Sequence, residues 1–200
     1  MKTTAEIATY LIAADKKMAE VIGETIIIER PSETDYFMAL VETIISQQIS
    51  GKVADILVGR LVVLCRGKVT AKKLLALKDE EIRALGISSV KIKYLRSLAT
   101  RVADQEIDLA GIAQLSDQEI IDNLIKVKGL GPWSAEMFLI FCLEREDVFS
   151  IGDGALVRAV SHWYYRDQPV TKKQLLRRSK KWAPYRSYAC FYLWESLKRF

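Results

Sequence analysis

Val127-Lys128-Gly129-Leu130-Gly131-Pro132-Trp133-Ser134-Ala135 is the stretch that decides the fold. Two glycines around one apolar residue suit a tight turn in which both take φ > 0 at little steric cost. Pro132 follows at once, at a first helical position that tolerates a missing N–H. The helix beginning there exposes unpaired N–H groups and a positive dipole end, a ready seat for a phosphate. Upstream, residues 117–126 read as a helix with Ile120, Ile121, Leu124 and Ile125 on one side. The pattern is helix, Gly-x-Gly hairpin, helix: a clamp for a nucleic-acid backbone. About twenty residues further on, Val148-Phe149-Ser150-Ile151 leads into Gly152-Asp153-Gly154.

Hairpin, tryptophan and spaced aspartate in this order resemble the helix-hairpin-helix DNA glycosylase superfamily. Trp133 stands where bifunctional members carry a Schiff-base lysine, which makes the chain similar to the monofunctional 3-methyladenine DNA glycosylase II branch. The resemblance runs from about Asp35 to the C-terminus. It implies an all-α, two-lobed fold with the active-site cleft between the lobes. A six-helix lobe over about 35–145 would hold the hairpin at 117–143, and residues 1–34 with 146–200 would form the other. Asp153 is implied as the catalytic carboxylate, and Trp133, Met137 and Trp194 as the base pocket.

The same resemblance assigns DNA contacts. Gln47, Gln48 and Ser50 lie in the loop that fills or borders the gap left by a flipped nucleotide. Ser88 and Ser89 stand where the family presents a large apolar wedge. They are small, so Ile87 or the Gln47–Ser50 loop is expected to take that part. Gly129, Gly131 and Ser134 belong to the phosphate clamp, and Arg158 is a structural or phosphate-contacting cation. The carbonyls of Ile125, Val127 and Leu130 correspond to those through which family members bind a monovalent cation, Na+ or K+.

Composition bounds the alternatives. The chain has 200 residues, half of them hydrophobic, enough for one domain or two closely packed lobes with a real core. No apolar run reaches membrane-spanning length, and the first residues lack a signal-peptide core, so no membrane partner is expected. A cytosolic protein follows, associated with the nucleoid in a bacterium or nuclear in a eukaryote. Cys65, Cys142 and Cys190 are odd in number and far apart, which argues against a disulfide framework and a zinc site. They also fall short of the four closely spaced cysteines that hold the iron–sulfur cluster of some related glycosylases. His162 is the sole histidine, so a histidine triad finds little support.

Net charge is +5, but it is unevenly spread. From Arg158 to Phe200 there are eleven Lys/Arg and two acids, a net +9, which leaves −4 on the rest. Charge of one sign on one segment suggests a face that meets a polyanion.

Periodicity predicts the remaining helices over 3–22, 35–48, 52–65, 70–77, 79–85, 90–103, 132–143 and 153–163, with an extended connector at 25–30 and Ser32 or Thr34 as a cap. Trp133, Met137 and Phe141 share one face of their helix, as core or as pocket lining. Asp153 reads as an N-cap, a place that favours an ionised carboxylate. Capping and catalysis are compatible there. Lys91 and Lys93 read as solvated lysines within reach of a phosphate. Residues 182–189 (Trp-Ala-Pro-Tyr-Arg-Ser-Tyr-Ala) resemble a family stretch that opens the last helix.

The expected activity is hydrolysis of the N-glycosidic bond of alkylated purines in damaged double-stranded DNA, N3-methyladenine first and N7-methylguanine second, by a monomer needing no cofactor. Two other readings remain open: a non-catalytic hairpin module that only binds DNA, and a glycosylase for oxidised or mismatched bases.

Overall fold

The computed structural model describes residues 2–23, 25 and 35–200. All but the first residue of the extended connector expected at 25–30 lies outside the described residues, as do the candidate caps Ser32 and Thr34. Every regular element among the described residues is helical, as the sequence led us to expect. No helix among them is long and apolar enough to cross a membrane.

The chain divides into two compact units, one of residues 33–143 and one of residues 1–32 with 144–200. The first unit holds α3 (Tyr36–Ser46), α4 (Gly51–Leu64), α5 (Ala71–Ala76), α6 (Asp79–Ala84), α7 (Ser89–Ala103), α8 (Asp117–Leu124) and α9 (Pro132–Phe141). Among the described residues that is seven α-helices, the number periodicity predicts here, where the resemblance implied six. Four of them begin at a residue whose side chain caps the first turn. Asp35 accepts from Met38 N, Thr70 from Lys73 N, and Ser88 from Lys91 N. Ser116 and Glu119 form a reciprocal capping box at α8. The apolar stripes then meet in one core through fully buried Leu40, Ile44, Leu61, Leu95, Ile120 and Leu139.

The second unit holds α1 (Thr4–Ala14), α2 (Met18–Ile22), α10 (Gly154–Tyr165), α11 (Lys172–Ser179) and α12 (Arg186–Ser196). The single helix expected over 3–22 is broken at Asp15, which leaves the helical conformation at φ −146°, ψ 100°. Its carboxylate turns inward and accepts from Arg178 Nη1 at 3.2 Å and Trp182 Nε1 at 3.3 Å. The ion pair offsets the cost of a carboxylate only 7% exposed. Trp182 is wholly buried against Phe149, with ring centroids 5.6 Å apart. Ile7, Leu11, Leu156, Val160 and Leu193 complete this second core.

Cys65 and Cys190 are buried and Cys142 is half-buried. Burial pushes the Cys65 thiol above its ordinary range, which leaves it unreactive.

Candidate active site

The hairpin is built as a turn between α8 and α9. Gly129 takes φ +85°, but Gly131 is extended at φ −110°, ψ −179°, so only the first glycine needs left-handed backbone. The physical reason lies in the neighbour. Gly131 is the N-cap of α9, a position whose ordinary backbone is extended. A Cβ on Gly129 would lie 2.1 Å from Tyr94 Cδ2, so the α7 tyrosine packs directly on the turn. Ser97, one turn further along α7, accepts from Lys128 N at 3.1 Å. Pro132 occupies the first position of α9.

The α3–α4 loop docks on the same turn. Gln47 Nε2 donates to Gly129 O at 2.8 Å. Gln48 beside it sits at φ +56°, uncommon for a residue with a side chain. Ser50 is exposed at the N-cap of α4. Lys91 is not a solvated phosphate contact. Its ammonium donates to Ile45 O at 2.7 Å, closing the last turn of α3 just before this loop. Burial lowers its pKa from the ordinary lysine value.

A cavity of about 620 Å³ opens beside the hairpin. One part of its lining is Thr43, Ser46, Gln47 and Gln48, and the rest is Gly129, Trp133, Met137 and Phe141. The stripe of Trp133, Met137 and Phe141 therefore faces a space rather than the core. Trp133 remains 44% exposed.

Two further expectations fail in this unit. Ile87 is 1% exposed, a core residue that cannot serve as a wedge, whereas the exposed apolar side chain at that turn is Val90. Ser88 and Ser89 are both exposed, Ser88 as the cap of α7. Ser134 is 4% exposed, so its hydroxyl faces the interior, and what it can offer a phosphate is a backbone N–H in the first turn of α9.

In the other unit, Asp153 caps α10 and is 7% exposed. Its Oδ1 accepts from Leu156 N at 2.7 Å and from the indole N–H of Trp194 at 3.1 Å. Trp194 was expected as a stacking surface, and the structure gives it a second task, orienting this carboxylate. Arg158 is exposed on α10.

The segment that delivers Asp153 is fastened to the start of α12. Arg186 grips Asp147 through Nε to Oδ1 at 2.6 Å and Nη2 to Oδ2 at 2.9 Å, a forked pair. Ser187 N donates to Glu146 O at 2.9 Å, and Ser187 Oγ accepts from Val148 N at 3.0 Å while donating to Arg145 O at 2.5 Å. Asp147, Arg186 and Ser187 are the site residues sequence reading did not assign. The Arg-Ser pair in the stretch opening α12 was the available signal, but its partners lie some forty residues away.

The expected cation site consists of carbonyls after the last turn of α8, where the helix dipole is negative. Val127 O accepts from Leu130 N at 3.1 Å, using one of its two lone pairs. Carbonyl oxygens of Ile125, Val127 and Leu130 are the donor type a hard monovalent ion takes. Among the described residues, no group of three or more His, Cys, Asp or Glu could hold a metal ion.

Comparison with known proteins shows the family. A family model for HhH-GPD superfamily base excision DNA repair proteins matches residues 41–184. The DNA-3-methyladenine glycosylase of Saccharomyces cerevisiae is 40% identical over 155 residues, 73% of this chain and 52% of that longer protein. This chain thus spans about half of that relative's length. The crystal structure of a DNA-3-methyladenine glycosidase from Bacillus halodurans superposes with TM-score 0.86 at 33% identity, over 95% of this chain and 88% of that one. The 3-methyladenine DNA glycosylase of Schizosaccharomyces pombe in complex with abasic DNA gives 0.80 at 27% identity, over 96% and 97%. A clamp built on Gly129, a capping aspartate on the helix that follows, and a family match over most of its length place this chain in the HhH-GPD superfamily of base excision DNA repair proteins.

Proposed function

We propose that this protein is a monofunctional DNA glycosylase that hydrolyses the N-glycosidic bond of 3-methyladenine, and of 7-methylguanine more slowly, in damaged duplex DNA. The observation that carries the reading is Asp153, a nearly buried carboxylate whose Oδ1 is held by Leu156 N and the indole N–H of Trp194. An enzyme that acts on a base must take it out of the stack, at a cost of about a few kcal/mol that is least for a damaged base. Positive charge on the alkylated ring makes the base a good leaving group. It also suits aromatic faces, worth about 0.5–2 kcal/mol per cation–π contact. Trp133 and its cavity supply such a face.

As the glycosidic bond breaks, positive charge grows on the sugar, and a fixed carboxylate out of bulk water stabilises it. Asp153 also accepts the proton of the attacking water. Trp194 holds Oδ1, so Trp194→Phe keeps the ring and removes the N–H. We expect single-turnover base release to fall about tenfold in that variant, the weight of one hydrogen bond to a charged group. An unchanged rate would leave Trp194 with stacking alone.

Position 133 offers no amine nucleophile, so strand cleavage by β-elimination is not expected. A monovalent ion on the carbonyls of Ile125, Val127 and Leu130 would supply positive charge toward a DNA phosphate. The protein is proposed to work as a monomer.

The deciding experiment is a panel of duplexes, each with one lesion, assayed for free base and for strand breaks. Release of 3-methyladenine from an intact strand, with no borohydride-trapped adduct, is the expected result. A trapped adduct would overturn the monofunctional assignment, and binding without base release would leave a non-catalytic module. Weaker binding in tetramethylammonium than in potassium buffer would support the ion, and equal binding would remove it.

A further inference from the structure

The cavity beside the hairpin has a polar wall whose hydroxyl protons are already spent. Thr43 donates its hydroxyl proton to Ala39 O at 2.9 Å, and Ser46 donates to Thr43 O at 3.1 Å. A hydroxyl has one proton and two lone pairs, so each can present only an acceptor to the cavity. Gln47, in the same wall, has its amide nitrogen turned onto Gly129 O. The remaining lining is the exposed Gln48, Gly129, the indole of Trp133, the thioether of Met137 and the ring of Phe141, and no lining residue carries a formal charge. Aromatic faces are negative and a thioether sulfur is polarizable.

From this we infer that Thr43 is a specificity-determining residue of the cavity, its acceptor-only hydroxyl favouring a positively charged purine over a neutral one. The inference rests on the glycosylase reading and sharpens it. Aromatic stacking alone is tolerant, because every base has a π-face. An oriented lone pair is less so, since it accepts an N–H from either kind of purine but the charge-assisted bond to a cationic ring is the stronger. Thr43 is half-buried whereas Ser46 is exposed, so water competes less at Thr43. Thr43 touches the base in this account and does no bond-breaking.

The test compares two lesions in three proteins. Single-turnover release is measured from duplexes holding one 3-methyladenine, charged, or one hypoxanthine, neutral, with wild type, Thr43→Val and Thr43→Ser. Valine keeps the branched shape and removes the hydroxyl. The expected result is that the ratio of the 3-methyladenine rate to the hypoxanthine rate falls about tenfold in Thr43→Val. Thr43→Ser, which keeps the hydroxyl, should restore the wild-type ratio. A merely structural role would lower both rates together and leave the ratio alone, and that outcome would overturn the inference. Wild-type protein that released neither base would instead sink the glycosylase reading, and this inference with it.

Discussion

Asp153→Asn is expected to lose base release while keeping its grip on duplex DNA. Leu156 N and Trp194 Nε1 both address Oδ1 of this side chain. Asparagine keeps an oxygen there, and it caps helices as well as aspartate does. Shape, cap and indole contact therefore survive, and one negative charge disappears. In a site 7% exposed, that charge is poorly replaced by water. Removing one preorganised electrostatic group from an enzyme site costs roughly 10²–10³ in rate, and we expect at least that for single-turnover release of 3-methyladenine. Duplex affinity, read by fluorescence anisotropy, should change less than about twofold, because an uncharged side chain of the same shape removes no attraction to phosphate. Near-normal excision by the variant would take the catalytic role away from Asp153.

Gly129→Ala should be the most damaging single-atom addition in the hairpin. The backbone there has φ +85°, where an L-residue is strained by about 1–2 kcal/mol. The added methyl would also sit 2.1 Å from the Tyr94 ring, and overpacking of this kind costs about 1–3 kcal/mol. The two effects act on one turn, so a loss of ~3 kcal/mol, or a melting temperature lower by roughly 6–12 °C, is expected. Because Gln47 is bonded to Gly129 O, the disturbance also reaches the α3–α4 loop, and DNA affinity should fall with stability. Gly131→Ala is the control. Its backbone is extended and nothing lies within 4 Å of the new methyl, so fold and melting temperature should be nearly unchanged. Matching melting curves for the two variants would contradict this account of the turn.

Local chemistry explains which parts of this molecule could be read from its sequence. Gly-x-Gly followed by proline is a local signal for a turn and a helix start. A capping aspartate acts on N–H groups only three residues away, as Asp153 does on Leu156. Helix faces repeat every few residues, so the stripes of α8 and α9 could be seen directly. What escaped depended on distant partners. The break at Asp15 is set by Arg178 and Trp182, more than 160 residues on. Ile87 looks like a loop residue until α7 and its neighbours close over it. Lys91 looks like a surface charge until the end of α3 places a carbonyl beneath it. The acceptor character of Thr43 rests on where one proton goes, which no residue pattern records. Trp194 could be guessed as an aromatic of the site, but its bond to Asp153 required α12 to lie against α10.

The clasp of Arg186 and Ser187 on residues 145–148 carries a consequence for shortened forms of the chain. The strip of polypeptide that presents Asp153 has no hydrogen-bonded ladder of its own, so its shape is borrowed from the helix it is fastened to. A product ending ahead of Arg186 would still spell out Gly152-Asp153-Gly154 letter for letter. It would have surrendered the mould that gives those letters their form, along with the indole that aims them. Possession of the motif and possession of the site are, in this protein, separate properties.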